Sequence, residues 1–434
     1  MCSIGITNVN QSLLDSNRFS QKRGPDSTNI LTYNKIQFLH NLLHLTGEKT
    51  PQPFIENDIV VVFNGEIYNY LELGNYKTDG ECLIDLYQKH GDEFIKLLDG
   101  EFAICLVDFN LNTILLSTDT FACKPLWYEF KNKDFCIGSY NSQLIQLEFN
   151  QGQKLYANKT KVFNLITFDL VKEFENFTFD IKQYKNHYND WIKAFENSIR
   201  KRTKNTQYGI YLGLSSGYDS GAIACELLNQ NLDFKSYTIM GPEDKKIINE
   251  RIKLIPNHEV IYLSQQEYND NKHHIDEECE NFTYRGYNIK GDKASFGLAA
   301  ICSRANKENR RIYLSGQGAD EIISDYGFNG HKIYNHSQFG GLFPNNLKGF
   351  WPWDSFWDGT QIKYLNKEEY IAGHYGIETR YPFLDKQLVQ EFLWLLPELK
   401  NKKYKSAINE YLTLNKFPFS EGQKIGFNIL KNLK

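Results

Sequence analysis

Residues 214–220 read Leu-Ser-Ser-Gly-Tyr-Asp-Ser, and this stretch decides the fold of the C-terminal half. An apolar run near Ile210 precedes it, and a helical run from residue 222 to residue 228 follows it. Small residues between a strand and a helix allow backbone N–H groups to approach phosphate oxygens at the helix N-terminus. Together with two hydroxyls and the Asp219 carboxylate, the stretch predicts a site for pyrophosphate and its magnesium ion.

Apolar runs recur along this half at helix-length intervals. They are centred near Ile210, Tyr237, Ile261 and Tyr313. Such alternation is typical of a parallel sheet that is covered by helices on both faces. Ligands of these sheets bind at the C-terminal ends of the strands, which is where residues 214–220 lie.

The length and the net charge indicate the number of domains and the class of partner. With 434 residues the chain exceeds the usual size of one domain, and we expect two, at residues 1–180 and 181–434. The formal net charge is -4, from 49 Lys and Arg against 53 Asp and Glu. Because this balance gives no basic field, we expect neither nucleic acid nor membrane as a partner, but a small-molecule substrate.

The cysteines and the N-terminus point to a reducing compartment. The 8 cysteines form no C-x-x-C pair, so most are expected to be reduced core residues. The N-terminus MCSIGITNVN has no basic lead, and no apolar run reaches the ~18 residues of a membrane span. We therefore expect a soluble, cytoplasmic protein.

The first 180 residues predict a mixed α/β domain. Apolar strands are expected at residues 59–63, 102–107 and 114–117, with an amphipathic helix at residues 81–89 between them. The sequence becomes polar after Phe168, and a new amphipathic helix that contains Trp191 and Phe195 follows. This change places the domain boundary near residue 180.

Cys2 becomes the first residue once the initiator Met is removed. One residue then carries both a thiol, which can act as the nucleophile, and a free α-amine with a pKa of about 8, which can act as the base. Alone, a small buried thiol is more often structural than catalytic. Four further motifs in the chain favour a catalytic role for Cys2. They are Arg23-Gly24-Pro25-Asp26-Ser27, Phe63-Asn64-Gly65-Glu66-Ile67-Tyr68-Asn69, Thr78-Asp79-Gly80-Glu81 and Lys124-Pro125-Leu126.

This series resembles the class II glutamine amidotransferases. The resemblance implies that Cys2 attacks the glutamine amide and that the Asn64 side chain and Gly65 N–H form the oxyanion hole. It assigns Asp79 and Glu66 to glutamine binding, Asp79 as the partner of the α-ammonium group. The implied fold is an Ntn-type αββα sandwich.

One position departs from that family. An Arg that binds the glutamine carboxylate usually stands two residues after a His, but here His40 is followed by Asn41 and Leu42. Loss of a bidentate charge-assisted contact costs ~2–4 kcal/mol of binding energy unless another cation substitutes. The candidates for substitution are Arg18, Arg23 and Lys49.

Two later motifs extend the resemblance to the asparagine synthetases. They are Leu314-Ser315-Gly316-Gln317-Gly318-Ala319-Asp320-Glu321 and Gly376-Ile377-Glu378-Thr379-Arg380-Tyr381-Pro382-Phe383-Leu384-Asp385. Residues 214–220 then resemble the S-G-G-x-D-S loop of ATP pyrophosphatases, with Ser216 at the first Gly. The implied fold of this half is an adenine nucleotide α-hydrolase-like parallel sheet.

The resemblance also assigns roles in this half. ATP and its pyrophosphate are bound by Ser215, Gly217, Asp219, Ser220, Gly316 and Lys424, and Mg²⁺ by Asp219 and Asp320. Lys405 aligns with the catalytic lysine that stabilises charge developing on phosphate oxygens, with Lys403 as the fallback in this Lys-rich stretch. A carboxylate would be converted to an acyl-adenylate, which ammonia then attacks.

The sequence departs most from the asparagine synthetase pattern at the positions that bind the acceptor. Gln317 stands where the family has a Glu that deprotonates ammonia, and a neutral amide cannot be a base. The helix before this motif offers Asp292 and Lys293 where the family has an aspartate-contacting Arg. Gln317 and Glu378 are the acceptor-site candidates, and a carboxylate other than aspartate is favoured.

Three functions are compatible with these residues. The first, and favoured, is a glutamine-dependent amidotransferase; the second is a β-lactam-synthetase-like cyclase or ligase with an idle glutaminase half; the third is a silent scaffold. Intact Cys2, Asn64 and Asp79 favour the first, and Leu42 favours the second. Homodimer formation is left open.

Residues 332–361 match no motif. They contain Trp351, Trp353 and Trp357, for which a place in the core is favoured over a place in the acceptor pocket.

Overall fold

In the computed structural model, which describes residues 2–241 and 243–422, the N-terminal half is built on two antiparallel sheets. Each sheet has six strands. In spatial order the first contains Gln153–Lys154, Trp127–Lys131, Asp134–Gly138, Ser3–Thr7, Ile36–Leu42 and Ser27–Tyr33. The second contains Leu170–Glu175, Lys159–Asn164, Thr113–Thr118, Gly100–Asp108, Ile59–Ile67 and Phe54–Glu56.

Period-two side-chain alternation explains why the sheets stack with helices outside them. In strand Ile59–Ile67, Val60 and Val62 face the other sheet and share one core with its Ile4 and Ile6. Ile59, Val61 and Phe63 point to the opposite face and pack under the helix Cys82–His90. Because helix Asn141–Gln146 covers the outer face of the first sheet, the half is the predicted αββα sandwich.

The C-terminal half is built on one parallel sheet, as predicted. Its five strands, in spatial order, are His258–Ile261, Phe234–Ile239, Gly209–Gly213, Arg310–Leu314 and Glu378–Arg380. Both faces are covered, because Ile210 and Leu212 contribute to one core while Tyr211 between them contributes to the other. The strand order reverses between the third and fourth strands, where the loops after them form a crevice.

Helices supply the remaining layers. The α-helices are Tyr70–Leu73, Cys82–His90, Asn141–Gln146, Asn189–Thr203, Tyr218–Asn229, Lys245–Leu254, Gln265–Glu278, Lys293–Lys307, Asp354–Trp357, Gly359–His374, Lys386–Trp394, Pro397–Lys400 and Ser406–Leu414. A π-helical turn covers Asp320–Ser324. In the part of the chain that the structure describes, no helix has both the length and the apolar character needed to cross a bilayer.

The stretch without a sequence motif forms an aromatic core. Trp353 is buried, and its ring packs edge-on against Phe343 and Phe356. Trp351 and Trp357 lie beside it, partly buried, in the same cluster. The three Trp side chains therefore pack with the helices of the C-terminal half.

Candidate active site

The Cys2 thiol is buried at the start of strand Ser3–Thr7. Its Sγ donates a long hydrogen bond of 3.8 Å to the Leu43 carbonyl. Burial raises the pKa of this thiol to about 11, and the carboxylates of Glu378 and Glu66 contribute in the same direction. Because a buried thiol with this pKa stays protonated at neutral pH, Cys2 needs a base to act as a nucleophile.

Asn64 and Gly65 lie in the buried strand Ile59–Ile67. Neither amide atom of the Asn64 side chain finds a hydrogen-bond partner within residues 2–241 and 243–422. Gly65 has φ +141°, and a Cβ there would lie 2.0 Å from the Glu101 carbonyl oxygen. Glycine is therefore required at position 65, and the amide beside it can still bind a polar group.

Two buried acids follow this pair. Asp79 accepts a hydrogen bond of 3.0 Å from the Ile67 N–H, and burial raises its pKa to about 6. Burial also raises the pKa of Glu66 to about 8, although the Arg380 guanidinium 3.1 Å away acts in the opposite direction. A positively charged ligand group near these acids would favour their ionised forms.

The three suggested substitutes for the missing Arg differ in position. Arg23 is fully buried and committed, since its Nε donates to the Cys2 carbonyl at 2.9 Å and its Nη2 pairs with Glu369 at 2.8 Å. Arg18 is largely exposed and lies 3.7 Å from Glu278. Lys49 is exposed, and its Nζ lies 3.5 Å from the Asp26 carbonyl. Arg23 is thus already engaged by other groups.

Arg380 connects the two halves. Its side chain pairs with Glu66 at 3.1 Å and with Glu378 at 2.7 Å, and its carbonyl accepts a 3.0 Å hydrogen bond from the Ser315 N–H. The strand Ile59–Ile67 is therefore connected through Arg380 to the loop that begins at Ser315. Glu378, an acceptor-site candidate from the sequence, lies in this buried interface and is not among the residues that line the cavity described below.

The loop after strand Gly209–Gly213 is held by its own hydroxyls. Ser220 Oγ accepts a 3.0 Å hydrogen bond from the Ser215 N–H, and the Gly217 N–H donates to Ser215 Oγ at 3.1 Å. Ser216, the departure from the S-G-G-x-D-S pattern, donates its hydroxyl to Glu243 at 2.5 Å. Because this partner lies 27 residues along the chain, the sequence pattern did not reveal it.

Lys405 brings the two loops together. Its Nζ lies 2.6 Å from Asp219 Oδ1 and 2.8 Å from Asp320 Oδ1. Burial opposes the charge of Lys405, but Asp219 and Asp320 hold its pKa well above the usual range. Lys403, the fallback, instead pairs with Glu421 at the surface. The structure thus brings together Asp219, Asp320 and Lys405, three of the residues singled out from the sequence.

Gly316 makes this approach possible. A Cβ at Gly316 would lie 2.9 Å from the Asp219 Cβ. Lys424, expected to bind ATP, lies outside the described residues.

A cavity of about 350 Å³ opens between the two loops. It is lined by six residues singled out from the sequence, namely Ser215, Asp219, Ser220, Gly316, Gln317 and Asp320, whereas Gly217 is not among the lining residues. Six further polar and aromatic residues of the lining belong to no sequence motif, namely Tyr326, Tyr334, His336, Tyr364, Lys367 and Glu368. Tyr364, Lys367 and Glu368 are spaced three and four residues apart on helix Gly359–His374, which is a signal that could have grouped them.

Comparison with known proteins covers both halves. The family model described as "Glutamine amidotransferase domain" matches residues 1–201, and the one described as "Asparagine synthase" matches residues 190–361. A relative from Methanocaldococcus jannaschii is 26% identical over 408 residues, 85% of this chain and 72% of its own. "Asparagine synthetase [glutamine-hydrolyzing] 2" of Oryza sativa subsp. japonica is 24% identical over 470 residues, 100% of this chain and 76% of its own.

Solved structures are more distant. The "allosteric regulatory enzyme of purine biosynthesis" has a TM-score of 0.33 and 12% identity, covering 60% of this chain and 80% of its own. NMN synthetase from Francisella tularensis has a TM-score of 0.24 and 14% identity, covering 56% of this chain and 100% of its own. Similarities this low say nothing about activity.

Proposed function

The chain belongs to the family of glutamine-hydrolysing asparagine synthetases and is an ATP-dependent ligase, and we propose that it amidates a small carboxylate after adenylating it. The observation that carries this proposal is the Lys405 ammonium between Asp219 and Asp320 in the crevice of the parallel sheet. A cation beside two carboxylates at this crevice suits phosphoryl chemistry. The acceptor that we favour is a carboxylate other than aspartate, because Gln317 replaces the usual Glu.

The glutaminase half would supply the ammonia. After removal of Met1, the α-amine of Cys2 takes the thiol proton, and the thiolate attacks the glutamine amide carbon. Asn64 and Gly65 donate hydrogen bonds to the oxyanion. The Asn64 side-chain amide has no other hydrogen-bond partner among the described residues. Asp79 and Glu66 bind the glutamine, with Asp79 on its α-ammonium group. The C–N bond of the tetrahedral intermediate then breaks, ammonia leaves with the proton held by the α-amine of Cys2, and a thioester remains. Water releases glutamate from this thioester and restores the thiol.

In the second half the substrate carboxylate attacks the α-phosphorus of ATP. A new C–O–P linkage forms, and the bond to the β,γ-pyrophosphate breaks. The pyrophosphate is bound by Ser215, Gly217, Ser220 and Gly316, and Lys424 is a further candidate ligand. Lys405 stabilises the charge on the phosphate oxygens. Ammonia from the first half displaces AMP and gives the amide.

Mg²⁺ fits the same place. The carboxylates of Asp219 and Asp320 already converge on one cation, the Lys405 ammonium, and two carboxylates completed by phosphate oxygens are a common magnesium site. Bound there, Mg²⁺ would neutralise phosphate charge. ATP and Mg²⁺ are therefore the proposed requirements.

We also propose how the chain is organised. The domain boundary lies near residue 180, between the strand that ends at Glu175 and the helix that begins at Asn189. Glutamine and a small carboxylate are the partners, without nucleic acid or membrane, and the location is the cytoplasm. A homodimer stays a prediction.

One observation favours a second function. The buried Leu42 replaces a carboxylate-binding Arg, and Arg23 is engaged by Glu369 and the Cys2 carbonyl. A ligase that uses a substrate amine would need no glutamine. The Lys405, Asp219 and Asp320 cluster speaks against a silent scaffold.

Pyrophosphate release tests the adenylation. The purified protein receives MgATP, ammonium chloride and one carboxylate at a time, beginning with L-aspartate, beside an Asp320→Asn control. We expect carboxylate-dependent release that the control lacks. If no carboxylate stimulates release above the control, the proposed function is wrong.

A further inference from the structure

Six carboxylates line the cavity between the two loops. They are Asp219, Glu243, Asp292, Asp320, Glu321 and Glu368. Five of them have close donors: Lys405 for Asp219, Ser216 for Glu243, Lys367 for Asp292, Lys405 for Asp320, and Tyr326 for Glu321. A carboxylate committed to such donors is a weak proton acceptor.

Glu368 also has a donor, the Ser315 hydroxyl, but one of its two oxygens is left without one. Its Oε2 is shielded from solvent, and within the described residues no group lies at hydrogen-bond distance and geometry from it. It stands on the helix Gly359–His374, one turn after Tyr364 and beside Lys367, both of which line the same cavity. A buried carboxylate oxygen without a donor calls for a functional explanation.

Gln317 lines the cavity with Glu368. Its amide is neutral and cannot accept a proton from an attacking nitrogen. If the chain forms amides from acyl-adenylates, another group in this cavity must take that proton. Among the six lining carboxylates of the described residues, Glu368 is the one with a solvent-shielded oxygen that lacks a donor.

We propose that Glu368 is the catalytic base that accepts the proton of the attacking nitrogen in place of Gln317. The proposal rests on the proposed function and deepens its second step. The nitrogen lone pair attacks the acyl carbon of the adenylate and a C–N bond forms. The C–O bond to AMP then breaks, AMP leaves with that electron pair, and one N–H proton passes to Glu368 Oε2.

The surroundings suit a base at neutral pH. Burial raises the pKa of Glu368 to about 7, Ser315 and Lys367 lower it, and Glu369 and Glu321 raise it. Other titratable groups that feel its charge are Tyr313, Cys302 and Tyr381. A base with a pKa near the working pH is both available and strong enough to be useful.

The first test separates the two steps of the reaction. Glu368→Gln keeps the shape of the side chain and removes the base. With ammonium chloride as nitrogen source and L-aspartate, or the panel carboxylate that gives the fastest pyrophosphate release, we expect amide formation to fall ~10²-fold or more. Carboxylate-dependent ATP–pyrophosphate exchange should stay within about twofold of wild type.

The pH profile and a rescue variant exclude a structural role. With the rate compared at a constant concentration of free ammonia, wild-type amide formation should rise as pH passes through about 7, and this rise should be absent in Glu368→Gln. Gln317→Glu in the Glu368→Gln background should recover at least about tenfold of the lost rate. An unchanged rate and profile in Glu368→Gln would overturn the proposal, and so would parallel loss of exchange and amide formation.

A spectroscopic titration keeps this question apart from the proposed function. Infrared difference spectra of wild type against Glu368→Gln, with MgATP, should show one carboxyl that titrates near pH 7. If no carboxylate supports exchange but this carboxyl is present, the proposed function fails while the availability of Glu368 as a base stands. A Glu368 carboxyl that stays ionised down to about pH 5 overturns the assignment.

Discussion

The two centres differ in how their charged groups are balanced. In the synthetase half, Lys405 lies within 2.8 Å of both Asp219 and Asp320, so cation and carboxylates compensate each other inside the protein. In the glutaminase half, Asp79 and Glu66 carry raised pKa values and the usual substrate-binding Arg is Leu42. The proposed nucleotide centre thus has its cation in place. In the proposed glutamine centre Glu66 has Arg380 at 3.1 Å, but Asp79 would gain its cation from the α-ammonium group of the ligand.

The largest expected effect breaks the organised centre. Lys405→Met removes the cation between Asp219 and Asp320, and we expect carboxylate-dependent pyrophosphate release to fall on the order of 10²–10³-fold, because phosphate charge loses a preorganised donor. Release is measured with MgATP and ammonium chloride.

The matched control is Lys403→Met. Lys403 is only two residues away but pairs with Glu421 at the surface, so its loss should leave release unchanged. Equal losses in both variants would mean that general charge, not this cluster, supports the reaction.

The next effect tests the weaker centre. Leu42→Arg restores a guanidinium at the position where the family binds the glutamine carboxylate, and the KM for glutamine should fall about tenfold or more. The assay is glutamate release at varied glutamine concentration, with Leu42→Gln as the uncharged control. A folded Leu42→Arg protein with an unchanged KM would show that another cation already binds this carboxylate.

The smallest effect is a pH dependence of glutamine binding. In its proposed role Asp79 must be ionised to bind the α-ammonium group of glutamine, and burial raises its pKa to about 6. The KM for glutamine should therefore rise as pH falls through 6, approaching about tenfold per pH unit below it. Steady-state glutamate release between pH 5 and 8 measures this, with Asp79→Asn as the variant that should lose the dependence.

The sequence was informative where chemistry requires short local motifs. Residues 214–220 predicted the crevice of the parallel sheet, and the apolar run at residues 59–63 predicted a buried strand. These features depend on neighbours a few residues away. The parallel sheet could therefore be anticipated from the local pattern, whereas the αββα sandwich and the pairing of Asp219 with Asp320 were implied by the family resemblance.

Other features depend on distant partners. Glu368 and Lys367 belong to no sequence motif, and only the packing of helix Gly359–His374 places them in the cavity. Tyr334 and His336 come from a stretch without periodicity. Glu378 has a motif, but its place depends on Arg380 at the interface between the halves.

Glutamate release from glutamine tests the central claim most directly. The protein with Met1 removed is incubated with glutamine, with and without MgATP, beside a Cys2→Ala variant. We expect release by the wild type and none by Cys2→Ala, although the variant should still use ammonium chloride for pyrophosphate release. No release by the correctly processed wild type would contradict glutamine as the nitrogen donor and favour a ligase that uses a substrate amine or free ammonia.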